Sequence, residues 1–511
     1  MDITILEKKV QDVYDDLIDS GNEISTILED INEEYVYSAK NLLSYLTLRS
    51  IDLRDIQAEL NKLGISSLGT SAGYVLENVS RTLDLIKLIK GISIERDVEK
   101  SSLGYTESNT LLEARSKSLF NVSENILRTK IMVTMPDEAS QNIVLLKGLL
   151  TAGMEIVRMN LSHGDEALWN RILVNSKRAS KELQIKTCIF MDLPRPKIRV
   201  GNLYKYSLDQ QKFHQVNAIY ISQNDCFELM KESQFNEGTF VDTVRNTVIT
   251  VALPEIIDDL EVNHRIFFDD GAIEGKVTFK SSNGVLIQIQ NTTKKKLRIG
   301  KGINLPDTHL TLPSLTFQDL QLLPYACKNA DIIGYSFVRT PEDVKALYNK
   351  LTDINDIETA VVFKIENKEA FDNLPRILFE AMKRPRIGVM IARGDLAVEV
   401  GFDRISEVQN QIMSICEAAH IPVIWATQVL ESMAKKGLAT RAEISDVVLS
   451  VQAECVMLNK GPYITDAVGI LKNILLRMEE HYNKNKKMLR ALEVARHNLR
   501  IIKGNQELHL K

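Results

Sequence analysis

Up to about residue 118 the apolar positions of the chain keep helical spacing. Leu6, Val10, Val13, Leu17 and Ile24 recur at three-, four- and seven-residue intervals, and Leu42, Leu43, Leu46 and Leu48 begin a second apolar face. Proline is absent from this stretch, and Gly64-Ile-Ser-Ser-Leu-Gly69 supplies a break followed by a Thr/Ser helix start. A helical domain is therefore expected over residues 1–120, and no chemical motif lies on it. From Lys130 the pattern changes to short β-rich runs separated by helix-length segments. The runs are 130–135, 155–160, 186–192, 331–337, 359–366, 386–392, 422–427 and 454–459. They are apolar at successive positions, as parallel strands enclosed by helices should be. Strand alternating with helix in this way predicts an α/β fold, a closed (β/α)8 TIM barrel over 121–201 and 307–480.

One interval is too long for a simple connection. Between 192 and 331 lie short alternating runs with turn signals, such as Ser281-Ser282-Asn283-Gly284. They predict a small inserted β-barrel lid domain over 202–306. Setting it aside leaves about 240 residues, close to the ~250 typical of such barrels. Residues 481–511 read as a basic helical tail.

Composition bounds this picture. A chain of 511 residues exceeds one ordinary core, so about three domains are expected. With 44% hydrophobic and 26% charged residues it reads as soluble, and no run of about 18 apolar residues is present to cross a membrane. The opening MDITILEKKVQDVYDDL carries too many acids for a signal or transit peptide. A formal charge of −5 gives no reason to expect nucleic acid, and Lys294, Lys295 and Lys296 read as a solvated loop. The five cysteines, Cys188, Cys226, Cys327, Cys416 and Cys455, form neither a CxxC pair nor a Cys/His cluster. A cytoplasmic protein with reduced thiols is the expectation.

Chemistry in such barrels stands at the carboxyl ends of the strands. Those ends carry Arg158 and Asn160, then Asp192, Ser336, Lys364 with Glu366, Arg393-Gly394-Asp395, and Thr427. Glu366 and Asp395, from neighbouring strands, suit a hard divalent cation whose shell is completed by water and substrate oxygens. Lys364 lies two positions before Glu366, so on a strand both side chains take one face. An ammonium there suits charge moving between phosphoryl oxygens and an enolate. Gly394 allows close backbone approach, and amides opening the next helix can bind a carboxylate. Arg158 and Arg199 offer the planar fork of donors that phosphate prefers.

The same blocks carry a family resemblance. TKIMVT (129–134), AGMEIVRMNLSHG (152–164), MDLPRPKIRVG (191–201), FFDDGAI (267–273), GKGINLP (300–306), FKIENKEA (363–370), MIARGDLAVEV (390–400) and IWATQVLESM (424–433) resemble pyruvate kinase in order and spacing. The likeness spans about residues 129–470. It implies phosphoryl transfer from phosphoenolpyruvate to ADP under a lid that excludes water. By that likeness Glu366 and Asp395 match the ligands of Mg²⁺ or Mn²⁺, and Lys364 matches the lysine that stabilises the phosphoryl group and the enolate. Arg158 matches the phosphate-binding arginine, and Thr427 the residue tied to protonation of the enolate carbon. Arg393, Gly394 and Asp395 fall in the substrate-binding block. Asn160, Ser162, Asp192 and Lys197 match the monovalent-cation region, and His163, Arg199 and Lys301 the nucleotide side.

The chain also departs from the family. Pro194-Arg195 replaces a Lys-Gly pair, Leu193 replaces a cation-site threonine, and Asn459-Lys460-Gly461-Pro462-Tyr463 replaces a Ser-Gly-Glu-Thr-Ala segment. Members that need K⁺ carry Glu where this chain has Lys197, and a tethered ammonium can replace a bound cation, so K⁺ independence is expected. No counterpart of the family's C-terminal domain is recognised, so regulation by sugar phosphates is not expected. Residues 38–69 are similar to the leader of a group of bacterial pyruvate-kinase-like proteins. Glu399, Glu431, Arg441 and Asp446 read as salt bridges on the barrel rim. A barrel enzyme with the same metal–enolate chemistry on another substrate or acceptor stays open, as does a non-catalytic metabolite-binding regulator. A homo-oligomer is left open as well.

Overall fold

The computed structural model describes residues 2–23, 28–94, 103–122, 127–194, 198–235, 246–484 and 486–487. Helices α1 (Ile3–Glu23), α2 (Val36–Ser50), α3 (Arg54–Lys62), α4 (Val75–Ile89) and α5 (Tyr105–Phe120) precede the barrel. The helical spacing of Leu6, Val10, Val13 and Leu17 places all of them in one core with Leu48, Leu60, Val79, Leu83 and Ile86. Ile24 lies outside the described residues. Helix α2 divides its apolar side chains, because Ala39 and Leu42 join the core of the barrel instead.

This joint is polar as well as apolar. Asn41 donates to Ala418 O and Ala72 O at 2.8 Å and accepts from Val75 N at 2.9 Å, capping α4 from another helix. His420 is fully buried, 3.0 Å from Ser38 Oγ and from Ser108 Oγ. Arg115 donates to Ser38 Oγ at 2.8 Å and to Ala419 O and His420 O at 3.1 Å, and its guanidinium lies 3.9 Å from the Tyr35 ring centroid. Burial lowers the Arg115 pKa to about 10, so it stays charged at neutral pH.

The barrel strands are β1 (Lys130–Thr134), β2 (Ile156–Asn160), β3 (Cys188–Asp192), β4 (Ile332–Tyr335), β5 (Ala360–Ile365), β6 (Ile387–Ala392), β7 (Val423–Ala426) and β8 (Cys455–Leu458). They close as β1-β8-β7-β6-β5-β4-β3-β2, every neighbour parallel. Period-two alternation sends Met132, Phe190, Val362, Met390 and Ile424 inward and Val133, Ile189, Val361, Val389 and Trp425 out against the helices. Thr316, Thr340 and Thr440 start outer helices with capping boxes to Asp319, Asp343 and Glu443, which satisfies amides that open each helix. Leu119 and Phe120 at the end of α5 sit in the inward-facing core and close the amino-terminal mouth of the barrel. Gly388 makes room for this plug, since a Cβ there would come within 2.7 Å of Leu119 Cδ2.

The insertion after β3 forms an eight-stranded sheet that begins at Val200 and ends at Asn304, and a separate pair joins Ala218–Tyr220 to Lys296–Arg298. Its end strands are Ile303–Asn304 and Lys212–Val216, and no ladder joins them among the described residues. The expected small barrel is thus an open sheet by its hydrogen bonds. One end strand has only 2 residues, too short to template a further ladder. After the last barrel helix, Ile464–Met478, the expected helical tail is absent from the first residues. Tyr482–Asn483 pairs antiparallel with Lys486–Lys487 instead. Lys484 stands at the turn with φ 53° and its buried ammonium 2.6 Å from Glu454 Oε1, an anchor a straight helix would lose. Residues 488–511 lie outside the described residues. No helix among the described residues is long and apolar enough to cross a membrane.

Candidate active site

Strand β5 is buried throughout, so Lys364 and the following Glu366 reach the barrel mouth already dehydrated. Lys364 Nζ lies 2.9 Å from Glu366 Oε1 and 3.3 Å from Asp192 Oδ1, and it donates to Ser336 Oγ at 2.9 Å. Arg158 from β2 pairs with the other Asp192 oxygen and donates to Thr134 Oγ1 at 2.7 Å. Asp192 therefore stands between two cations, at ion-pair distance but without hydrogen-bonding angles. Charges this deep cost several kcal/mol each to dehydrate, and loss of one partner typically costs about 3–5 kcal/mol. Gly334 on β4 leaves the space Asp192 occupies, because a Cβ there would fall 2.1 Å from Asp192 Oδ1.

Arg158 also faces an open cavity of about 840 Å³. Its buried Nε has no hydrogen-bond partner among the described residues, a donor available to an anion. Asn160 and His163 line the same cavity, as do Lys435, Asn459 and Lys460 from the far side. Ser162 turns away, donating to Pro194 O at 2.9 Å while its amide bonds Asn160 Oδ1 at 3.0 Å. Arg199 and Lys301 stand together on the neck of the insertion, outside that lining. Arg199 bridges Gly302 and donates to Gly300 O at 2.9 Å, and Lys301 pairs with Asp269 at 2.9 Å. Lys197 and Arg195 lie outside the described residues.

Asp395 occupies the first turn of the helix Arg393–Val400 and lines a second cavity, of about 590 Å³, between barrel and insertion. No group of three or more His, Cys, Asp or Glu side chains among the described residues could hold a metal unaided. Glu366 and Asp395 are hard oxygen donors, and Mg²⁺ commonly takes only one or two carboxylates plus substrate oxygens and water. The donor chemistry fits such a cation.

Arg393, expected in the substrate-binding block, makes its described contacts within the protein. Its buried guanidinium donates to Ala426 O at 3.2 Å and Thr427 O at 2.7 Å, and pairs with Asp446 at 2.6 Å. Thr427 is held beside it at φ 63°, its Oγ1 accepting from Gly394 N at 2.7 Å.

Sequence reasoning missed several of these groups. Thr134 ends β1, so the rule that found the other strand ends would have found it. Asp446 does form the salt bridge expected of it, but toward Arg393 in the site. Glu399 makes no rim ion pair among the described residues: it is buried and accepts from Asn304 Nδ2 at 3.1 Å, joining barrel to insertion. Burial raises its pKa to about 7. A lone acid within the apolar run Leu396–Val400 was the available signal. Glu431 pairs with Lys435 beside the larger cavity, and Arg441 is exposed.

The family model for the pyruvate kinase barrel domain matches residues 126–468. A pyruvate kinase of Staphylococcus saprophyticus is 32% identical over 361 residues, covering 69% of this chain and 57% of its own length. One of Bacillus licheniformis is 32% identical over 375 residues, 71% of this chain and 59% of its own. One of Trypanoplasma borreli is 33% identical over 356 residues, 68% of this chain and 66% of its own. The chain therefore spans under two thirds of each of these relatives.

Proposed function

The chain belongs to the pyruvate kinase family, and from that premise we propose that it moves the phosphoryl group of phosphoenolpyruvate to ADP, giving pyruvate and ATP. The observation that supports this best is the buried array of Arg158, Asp192, Lys364 and Glu366 beside a cavity into which Arg158 brings an unmatched donor. Arg158 and Lys364 grip the phosphoryl oxygens, and Lys364 offsets the charge that collects on the enolate as the phosphoryl group leaves. Glu366 and Asp395 would hold Mg²⁺ or Mn²⁺, which supplies Lewis-acid neutralisation of the same oxygens. The Asp395 amide at the start of the helix receives the substrate carboxylate, the Gly394 amide being taken by Thr427.

Thr427 serves the second half of the reaction. Its oxygen already accepts from Gly394 N, so its own proton is free to be donated toward the enolate carbon. His163, Arg199 and Lys301 serve the nucleotide. Lys197 takes the place of K⁺ in the region of Asn160, Ser162 and Asp192. The insertion acts as the lid that keeps water from the phosphoryl group. The reaction belongs to the cytoplasm.

A second reading keeps the donor and changes the acceptor. It is favoured by the separation of Arg199 and Lys301 from the cavity that His163 lines, and by Asn459 and Lys460 in that cavity's wall. A coupled assay of ADP-dependent pyruvate formation, with Lys364→Met as control and with K⁺ present or absent, separates these readings. Turnover independent of K⁺ and reduced on the order of 10²–10³-fold in the variant is expected. Equal rates in the two proteins would remove the lysine's role. Pyruvate formed only with another acceptor would favour the second reading, and a large rise with K⁺ would overturn the assignment to Lys197.

A further inference from the structure

Thr427 is β-branched and sits at φ 63°, with Gln428 at 54° and Leu430 at 46° close behind. Left-handed backbone costs a non-glycine residue about 1–3 kcal/mol, and a β-branched one is a true outlier there. Such strain persists only where surrounding contacts over-determine it, and here they are identifiable. Arg393 bonds the two carbonyls that flank the bend, Ala426 O at 3.2 Å and Thr427 O at 2.7 Å. The guanidinium is itself held between the Trp425 ring, 4.8 Å from its centroid, and Asp446 Oδ1 at 2.6 Å. Asp446 lies on the helix Arg441–Ser450, and its side chain is 29% exposed while that of Arg393 is 7% exposed.

We infer that Asp446 is a positioning residue for Thr427. It touches no reacting atom. It fixes the rotamer and charge partner of Arg393, Arg393 fixes the strained Thr427 carbonyl, and the resulting conformation points Thr427 Oγ1 at Gly394 N. Without the carboxylate, the buried guanidinium loses its ion pair and turns toward solvent, and the bend relaxes. The inference rests on the reading that Thr427 donates the proton to the enolate. If so, Asp446 acts on the step after phosphoryl transfer and leaves substrate binding alone.

The test uses Asp446→Ala, with Asp446→Asn as the milder variant that keeps the acceptor oxygen, each also made in a Thr427→Ala background. The expected result for Asp446→Ala is a loss of kcat on the order of 10²-fold, the usual consequence of a displacement of about 1 Å. KM for phosphoenolpyruvate should stay within about threefold, and Asp446→Asn should fall between. In the Thr427→Ala background the same substitution should have no further effect on kcat, because its route to the chemistry is gone. Equal losses in both backgrounds would overturn the inference. Hydrogen exchange at the Gly394 amide reads the clasp without turnover, and Asp446→Ala should speed it about tenfold. If that exchange is unchanged the clasp is refuted, whatever the kinetics. If the unmodified protein turns over no phosphoenolpyruvate while the exchange does speed up, the clasp stands and the proposed reaction falls.

Discussion

At the floor of the barrel Leu119 and Phe120 meet Met132, Phe190, Val362 and Met390 in an apolar core. At the mouth, on the same strands, Arg158, Asp192 and Lys364 crowd together with Glu366. Val362 and Lys364 share β5, so one strand serves both ends. The floor is built from contacts that require only volume and shape, and it tolerates no water. The mouth is built from paired charges whose dehydration is offset by one another. Stability should therefore depend on the floor and turnover on the mouth.

Phe120→Ala is the largest challenge to that division. It opens a cavity in the plug and should cost about 3–5 kcal/mol of unfolding free energy, read by denaturant titration. Below its lowered melting temperature, kcat/KM should stay within about threefold of the parent value. A large loss of activity in the still-folded variant would mean that floor and mouth are coupled through the strands. Because Leu119 and Phe120 of α5 pack inside the barrel, the same result would tie this helix to the catalytic fold.

A smaller effect should come from Glu399, where barrel and insertion meet. Its carboxyl is raised from 4.5 to about 7 by burial, so the folded state holds a proton the unfolded chain releases. That contribution to stability is full below about pH 4.5 and is lost as pH rises through 7. Glu399→Gln should therefore flatten the fall in melting temperature between pH 5 and 7.5 relative to the parent. Parallel curves for the two proteins would place the Glu399 carboxylate in an ionised, solvated setting instead.

The strands of the barrel were legible in the sequence because burial on both faces leaves a continuous apolar run. Lys364, Glu366 and Asp395 were legible as strand-end positions for a related reason: charge stands out where such a run ends. The partners of Arg393 were not legible, because sequence fixes which strand end a residue occupies and not where a long side chain finds its contacts. The left-handed turn at Thr427 had no signal at all, since its residues are poor formers of that conformation and are held there by Arg393. The hairpin after Met478 was hidden for the same reason, its anchor Glu454 lying far away in sequence.

The central claim concerns where the phosphoryl group goes. Phosphorus NMR of the purified protein with phosphoenolpyruvate, ADP and Mg²⁺ follows it directly. The phosphoenolpyruvate signal should decline as the γ-phosphate of ATP grows one for one, with no inorganic phosphate beyond the enzyme-free control. Loss of phosphoenolpyruvate to inorganic phosphate, or an unchanged spectrum at high protein concentration, would contradict it.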